Sequence, residues 1–215
     1  MKDRLTAALR ASRADYTEIR IERTWASAVS FRGRRLESAT ESESVGGFVR
    51  ALNRGHGWGT VSFTSLARLP DMVARADAYS RAVRIDDPIV LAHTTPVTAD
   101  AALDLDGDVR GVPLADKKRL LEACNDAMLG VSDRIVDTQA GYRDEVTEYW
   151  YGNSEGTLLY ELRPEVVLSG VAIARRDGTI EKGLESIGLR RGWRGAQGHE
   201  AGFRTVAERA VALLD

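Results

Sequence analysis

Few residues in this sequence have the types and spacing that chemistry needs. The segment His199-Glu200-Ala201-Gly202-Phe203-Arg204 opens like a helical zinc motif. Such a site needs a second imidazole one helical turn on, so that two ring nitrogens converge on one ion. Phe203 and Arg204 stand four and five residues on, and neither ligates zinc. His56 sits between two glycines and His93 in the linker formed by residues 84–112, each without a partner at ligand spacing, so both read as loop histidines. Asp104-Leu105-Asp106-Gly107-Asp108 has calcium-loop character but lacks the closing glutamate and the flanking helices. Gly152-Asn153-Ser154-Glu155-Gly156 is not a nucleophile elbow, because the turn leads into a strand and not a helix. The adjacent carboxylates Asp144 and Glu145 read as part of a polar turn. Cys124 shares a helix face with Leu120, Ala127 and Met128, which makes it a packing residue and not a nucleophile. Neither a metal site nor a catalytic residue is expected in this chain.

Composition narrows the classes further. The 215 residues carry a formal net charge of -2, which argues against a nucleic-acid-binding face. Arg32-Gly33-Arg34-Arg35 is the densest basic run and reads as a solvated hairpin tip. A single cysteine excludes an intramolecular disulfide and fits a reducing compartment. The first ten residues are interrupted by charge at once, unlike a signal peptide, and no run is long enough to span a membrane. The expected location is the cytoplasm.

The elements follow from periodicity. Residues 1–13 form an amphipathic pattern with Leu5 and Leu9 on one face. From Ile19 the period becomes two, with Ile21, Trp25, Val29 and Phe31 on the same parity. Leu36–Glu43, Val45–Asn53 and Trp58–Phe63 follow as strands, and Gly46-Gly47 permits a bulge or a close backbone approach. Ser65 can cap a helix carrying Leu66, Leu69, Met72, Val73, Ala76 and Tyr79 as its apolar stripe. After the Pro- and Asp-rich residues 84–112 the order repeats: a helix over Leu114–Leu129, then strands over Arg134–Ala140, Glu145–Tyr151, Thr157–Leu162 and Glu165–Arg175. Asp177-Gly178 signals a hairpin, and a glycine-rich loop from Gly183 to Gly202 leads to a last helix ending near Leu214.

Helix, four strands, helix thus occurs twice at an offset near 120 residues, with Phe31-Arg32-Gly33 against Tyr151-Gly152-Asn153. The expected fold class is α+β, two-layer, a mostly antiparallel sheet with helices on one face. It is built from two weakly similar halves, 1–83 and 113–215, joined by the linker 84–112.

Two stretches resemble a known family. One runs from Glu18-Ile19-Arg20-Ile21-Glu22-Arg23 through Val45-Gly46-Gly47-Phe48-Val49-Arg50-Ala51-Leu52 to Gly57-Trp58-Gly59-Thr60-Val61-Ser62-Phe63-Thr64. The other is Tyr151-Gly152-Asn153-Ser154-Glu155-Gly156 with the long strand to Arg175 and the glycine-rich loop. Together they resemble the first half of TldD/PmbA proteins, also called modulators of DNA gyrase, with the closer match on the TldD side. The resemblance implies an amino-terminal domain of a longer protein whose absent carboxy-terminal domain binds zinc through His-Glu-x-x-x-His and cleaves peptides. This chain would then be non-catalytic, helping to form the peptide-substrate chamber and the subunit interface. Its partners would be its own carboxy-terminal domain, a PmbA/TldE-like or identical subunit, and an extended peptide, with neither membrane nor nucleic acid among them. Other readings are the same domain of a non-catalytic PmbA/TldE-like subunit, or a stand-alone interaction module. An antiparallel sheet with a free edge can accept an extended peptide. The loop from Arg190 to Gly202 either folds over such a peptide, contacts the catalytic domain, or is an unstructured junction. Arg191, Trp193, Arg194 and His199 are its candidate substrate contacts.

Overall fold

The computed structural model describes residues 1–103 and 105–215. Helix α1 (Lys2–Arg10) precedes strands β1 (Tyr16–Arg32), β2 (Arg35–Asn53) and β3 (Gly57–Phe63), then helix α2 (Leu69–Ala82). A short strand β4 (Thr98–Ala102) follows. The order then repeats as α3 (Leu114–Leu129), β5 (Ile135–Asn153), β6 (Leu158–Arg176), β7 (Thr179–Leu189) and α4 (Glu200–Ala212). The seven strands form one sheet in the order β3-β2-β1-β5-β6-β4, with β7 also paired to β6. The β2–β3 and β6–β7 pairs are antiparallel, and β4 runs parallel to β6. The class is α+β with a mostly antiparallel sheet.

Each half holds three long strands where the sequence suggests four. Leu36–Glu43 and Val45–Asn53 are one strand, as are the two segments within β5 and the two within β6. Strand preference depends on cross-strand neighbours, so pairing carries a strand through polar residues at which the local pattern breaks. For the same reason Gly183–Leu189 is strand and not loop: it pairs with Val166–Ala172 of β6. The linker also carries structure, in β4 and in a 3-10 turn over Val109–Gly111 with Val109 buried. The hairpin at Asp177-Gly178 has both residues at positive φ, 49° and 88°, as a type I′ turn requires.

The chain packs as two compact units. The first comprises Met1–Thr24, Glu43–Leu103 and Thr147–Arg163; the second comprises Trp25–Ser42, Asp104–Val146 and Pro164–Asp215. In the first, Ile19 and Ile21 of β1, Val49 and Ala51 of β2, Val61 and Phe63 of β3 and Trp150 of β5 meet Leu5 of α1 and Leu69, Val73 and Ala76 of α2. Each fully buried Leu, Ile or Val contributes about 1.5–3 kcal/mol. Tyr79 departs from the expected stripe: it is 46% exposed. In the second unit Leu121, Cys124 and Met128 of α3 and Phe203, Val206 and Ala210 of α4 are buried. Gly170 of β6 lies beneath the Phe203 ring and the Met128 sulfur.

One feature recurs in both units. A Cβ on Gly59 of β3 would strike the Ala76 carbonyl and the Ser80 amide of α2. A Cβ on Gly183 of β7 would strike the Val206 carbonyl of α4. In each half, a glycine on the third strand lets the backbone of the following helix land on the sheet. Gly47 allows a similar approach to the Arg20 carbonyl and the Phe63 ring.

Candidate functional site

In the first unit the helices pack on one side of the strands, so alternate residues of β1, β2 and β5 turn the other way. Glu18, Arg50 and Tyr151 are among them, all half-buried. With Tyr16, Trp58, Asn153 and Leu159 they line a groove of about 580 Å³. One wall is the segment that includes Leu91, Thr94, Thr95 and Val97. That segment is fixed at both ends: Ile89 N donates to the Arg54 carbonyl at 3.3 Å, and Leu158 N donates to the Val97 carbonyl at 2.8 Å. Residues read as linker therefore build the site.

Glu18 is the hub of the groove. Its carboxylate accepts from Tyr16 OH at 3.0 Å, Tyr151 OH at 3.1 Å and Arg50 Nη1 at 3.0 Å. Burial pushes both phenol pKa values up, Tyr151 strongly, so both hydroxyls stay protonated and able to donate. The Arg50 guanidinium also lies over the Trp58 ring, 4.2 Å from its centroid, and Trp58 meets Tyr16 edge-on at 5.9 Å. Stacking and the ion pair together hold the planar guanidinium in one orientation. At the groove end the Asn153 side-chain carbonyl accepts from the amides of Glu155 and Thr157, at 3.1 and 2.9 Å, which shapes the turn. The arrangement can stack on a ligand and hydrogen-bond to it.

The four residues proposed from sequence lie in the second unit, around a 3-10 turn over Trp193–Ala196. Trp193 is half-buried and meets Tyr142 edge-on at 6.3 Å. Trp193 N donates to the Gly107 carbonyl at 2.7 Å, and Arg194 N to the Asp106 carbonyl at 3.1 Å. These backbone bonds, with Gly192 seated against the Leu105 and Gly107 carbonyls, give a built loop in place of the unstructured junction. Arg191 and Arg194 have exposed side chains, and Arg194 reaches Asp106 at 3.5 Å. His199 stands at the N-cap position of α4, but its side chain makes no bond to the helix; its Nε2 is bonded to the Gly195 carbonyl at 2.9 Å.

The structure also corrects the reading of Asp144. It lies inside β5, not in a turn, with its side chain 3% exposed. Lys117 Nζ approaches Asp144 Oδ2 at 2.7 Å and donates to Ser27 Oγ at 2.9 Å; Tyr142 OH donates to Asp144 Oδ2 at 2.6 Å. A lysine on the buried side of a helix pattern was the available signal. In the calcium-like run, Asp104 lies outside the described residues, while Asp106 and Asp108 face Arg194 and Arg110.

Chain order, sheet and groove together define a doubled helix–three strands–helix α+β domain with an aromatic-lined cleft. The chain belongs to the PmbA/TldD family. Residues 17–84 match PmbA/TldA metallopeptidase domain 1, and residues 107–214 match the PmbA/TldA metallopeptidase central domain. A metalloprotease of Synechocystis sp. is 33% identical over 204 residues, covering 94% of this chain and 44% of the relative. A metalloprotease of Methanothermobacter thermautotrophicus is 26% identical, with the same coverages of 94% and 44%. The chain thus spans less than half the length of these relatives. Among solved structures, a Thermotoga maritima protein named as a modulator of DNA gyrase has a TM-score of 0.77 at 17% identity, covering 99% of this chain and 47% of its own. TldE from Thermococcus kodakarensis has a TM-score of 0.69 at 13% identity, covering 99% and 46%.

The metal that the metalloprotease relatives imply does not fit the residues here. Among the described residues no three His, Cys, Asp or Glu side chains gather as ligands. His199 is bonded to Gly195, and Phe203, one turn on, is buried core. No helix among the described residues is long and apolar enough to cross a membrane.

Proposed function

We propose that this chain is the non-catalytic amino-terminal part of a TldD-like zinc metallopeptidase of the cytoplasm. It helps form the chamber that receives an extended peptide and the interface with a PmbA/TldE-like or identical subunit. Zinc and the hydrolytic step belong to a carboxy-terminal domain outside this chain. The observation that carries the reading is the groove. Glu18, Arg50, Trp58, Tyr151 and Asn153 come from the separate stretches that resemble the family, and they line one cleft. A concave, aromatic site with a few oriented polar groups suits a peptide segment. Arg191, Trp193, Arg194 and His199 are a second set of substrate contacts under the same proposal.

The test is titration of the 215-residue chain with short N-acetylated peptides, read by calorimetry. Saturable binding that is lost in Trp58→Ala and in Ala92→Trp supports the reading; Ala92→Trp fills the groove from an exposed position. No binding by the unaltered chain, or binding that survives both substitutions, overturns it.

A further inference from the structure

Within the groove, the polar groups divide into those already spent and those still available. The Glu18 carboxylate is spent, since two phenols and Arg50 converge on it. It serves to hold the other three, and its pair with Arg50 carries no net charge, so what Arg50 still offers a ligand is its unused N–H donors. The Asn153 side-chain carbonyl is spent on its own turn. What remains is the guanidinium of Arg50 and hydroxyls that can donate. A guanidinium has five N–H bonds, and among the described residues the hydrogen-bond acceptor for Arg50 is Glu18. The Thr157 hydroxyl oxygen accepts from Val97 N at 3.3 Å, which leaves its own proton to give. The hydroxyls of Thr94 and Thr95 stand on the opposite wall.

A fixed guanidinium fork beside free hydroxyl donors calls for an acceptor of planar, two-oxygen geometry. We infer that the groove is a carboxylate-recognition subsite: Arg50 receives the carboxylate of a peptide, while Trp58, Leu91, Val97 and Leu159 cover its apolar body. The inference rests on the peptide-binding reading and names what that peptide must present. The carboxylate is either a free carboxy terminus or an acidic side chain. Glu155 opposes it, as the other acidic group of the lining. Glu155 is exposed on the turn, where water and salt screen its charge.

The experiment compares three probes on the 215-residue chain by calorimetry: N-acetyl-Ala-Ala-Phe as the free acid, the same peptide amidated, and N-acetyl-Ala-Glu-Phe amidated. The free acid binds about tenfold tighter than its amide, the difference expected for a charge-assisted pair. If the glutamyl amide matches the free acid, the subsite takes either carboxylate; if it matches the neutral amide, the subsite reads the carboxy terminus. Arg50→Lys keeps a cation beside Glu18 but loses the fork, and it removes most of the acid preference. Glu155→Gln touches nothing in the core and tightens the free acid about two- to threefold at low ionic strength. Equal binding of all three probes, or weaker binding of the acid in Glu155→Gln, overturns the carboxylate assignment and leaves peptide binding standing. Failure of all three probes to bind overturns both.

Discussion

Lys117 and Asp144 face each other at 2.7 Å with 3% of each side chain exposed, and the ion pair ties α3 to β5 inside the second unit. Ser27 and Tyr142 satisfy further hydrogen bonds at its rim. Desolvating two charges offsets most of their attraction, so such a pair fixes an arrangement more than it adds stability. Removing one partner is a different matter. Lys117→Met leaves a buried carboxylate uncompensated and lowers unfolding free energy by about 3–5 kcal/mol in urea titration. Lys117→Met with Asp144→Leu recovers a large part of that loss. A double variant no more stable than the single one would show that the pair is not acting as a unit.

Cys124 supplies a pH prediction. Burial pushes its thiol up from 9.0 to about 12, with Glu200 adding to the shift. The folded state therefore holds its proton more tightly than the unfolded chain. The stability this contributes is fully present below the unfolded value and is lost as pH rises toward about 12. Thiol labelling at pH 9 should be slow on the folded chain and fast in urea. Equal rates would place Cys124 at the surface.

The two strand glycines predict matched losses. Gly59→Ala and Gly183→Ala each force a methyl group against helix backbone, α2 in one unit and α4 in the other. Each should cost about 1–3 kcal/mol or more, since the neighbouring atoms are main chain and cannot rotate away. Gly178→Ala, a position with open space but φ of 88°, tests strain without a clash. Thermal melts of the three variants separate the two effects.

The loop in the second unit can be tested apart from the groove. Arg191→Ala and Arg194→Ala change exposed side chains and should alter stability by less than about 0.5 kcal/mol. Trp193→Ala strips the edge contact with Tyr142 and costs more. If these residues touch substrate, peptide cleavage by the longer protein falls in the arginine variants while their melting curves stay put. Unchanged cleavage and unchanged subunit pairing remove the loop from the site.

The native reading frame beyond Asp215 separates the peptidase subunit from its partner type. A His-Glu-x-x-x-His helix in that frame assigns this chain to the catalytic subunit. A long frame without those histidines assigns it to the PmbA/TldE-like subunit. In the first case a chelator abolishes peptidase activity and leaves the melting of the 215-residue chain unmoved, since none of its described residues form a ligand cluster.

Much of the architecture was written locally. The 3.6-residue stripe around Cys124 marked Leu114–Leu129 to the residue, and alternation from Ile19 to Phe31 marked the buried side of β1. Asp177-Gly178 announced its hairpin; Ser65, expected to cap the helix, instead caps a 3-10 turn over Leu66–Arg68, and α2 starts after Arg68 with no side-chain cap. These features depend on neighbours a few residues apart, and a period or a φ preference reports them directly. What decided the rest was pairing between distant segments. Only the sheet joined the broken patterns into long strands, because hydrogen bonds from adjacent strands outweigh a local run of polar residues. Only burial against α3 turned Asp144 from an apparent turn residue into half of an ion pair. Arg50 lies 32 residues from Glu18 and Tyr151 lies 133 from it. A repeat of two fixes the side of a strand on which each residue lies but not the residue it meets there. The groove therefore exists at the level of strand order and register, which no single stretch of the chain encodes.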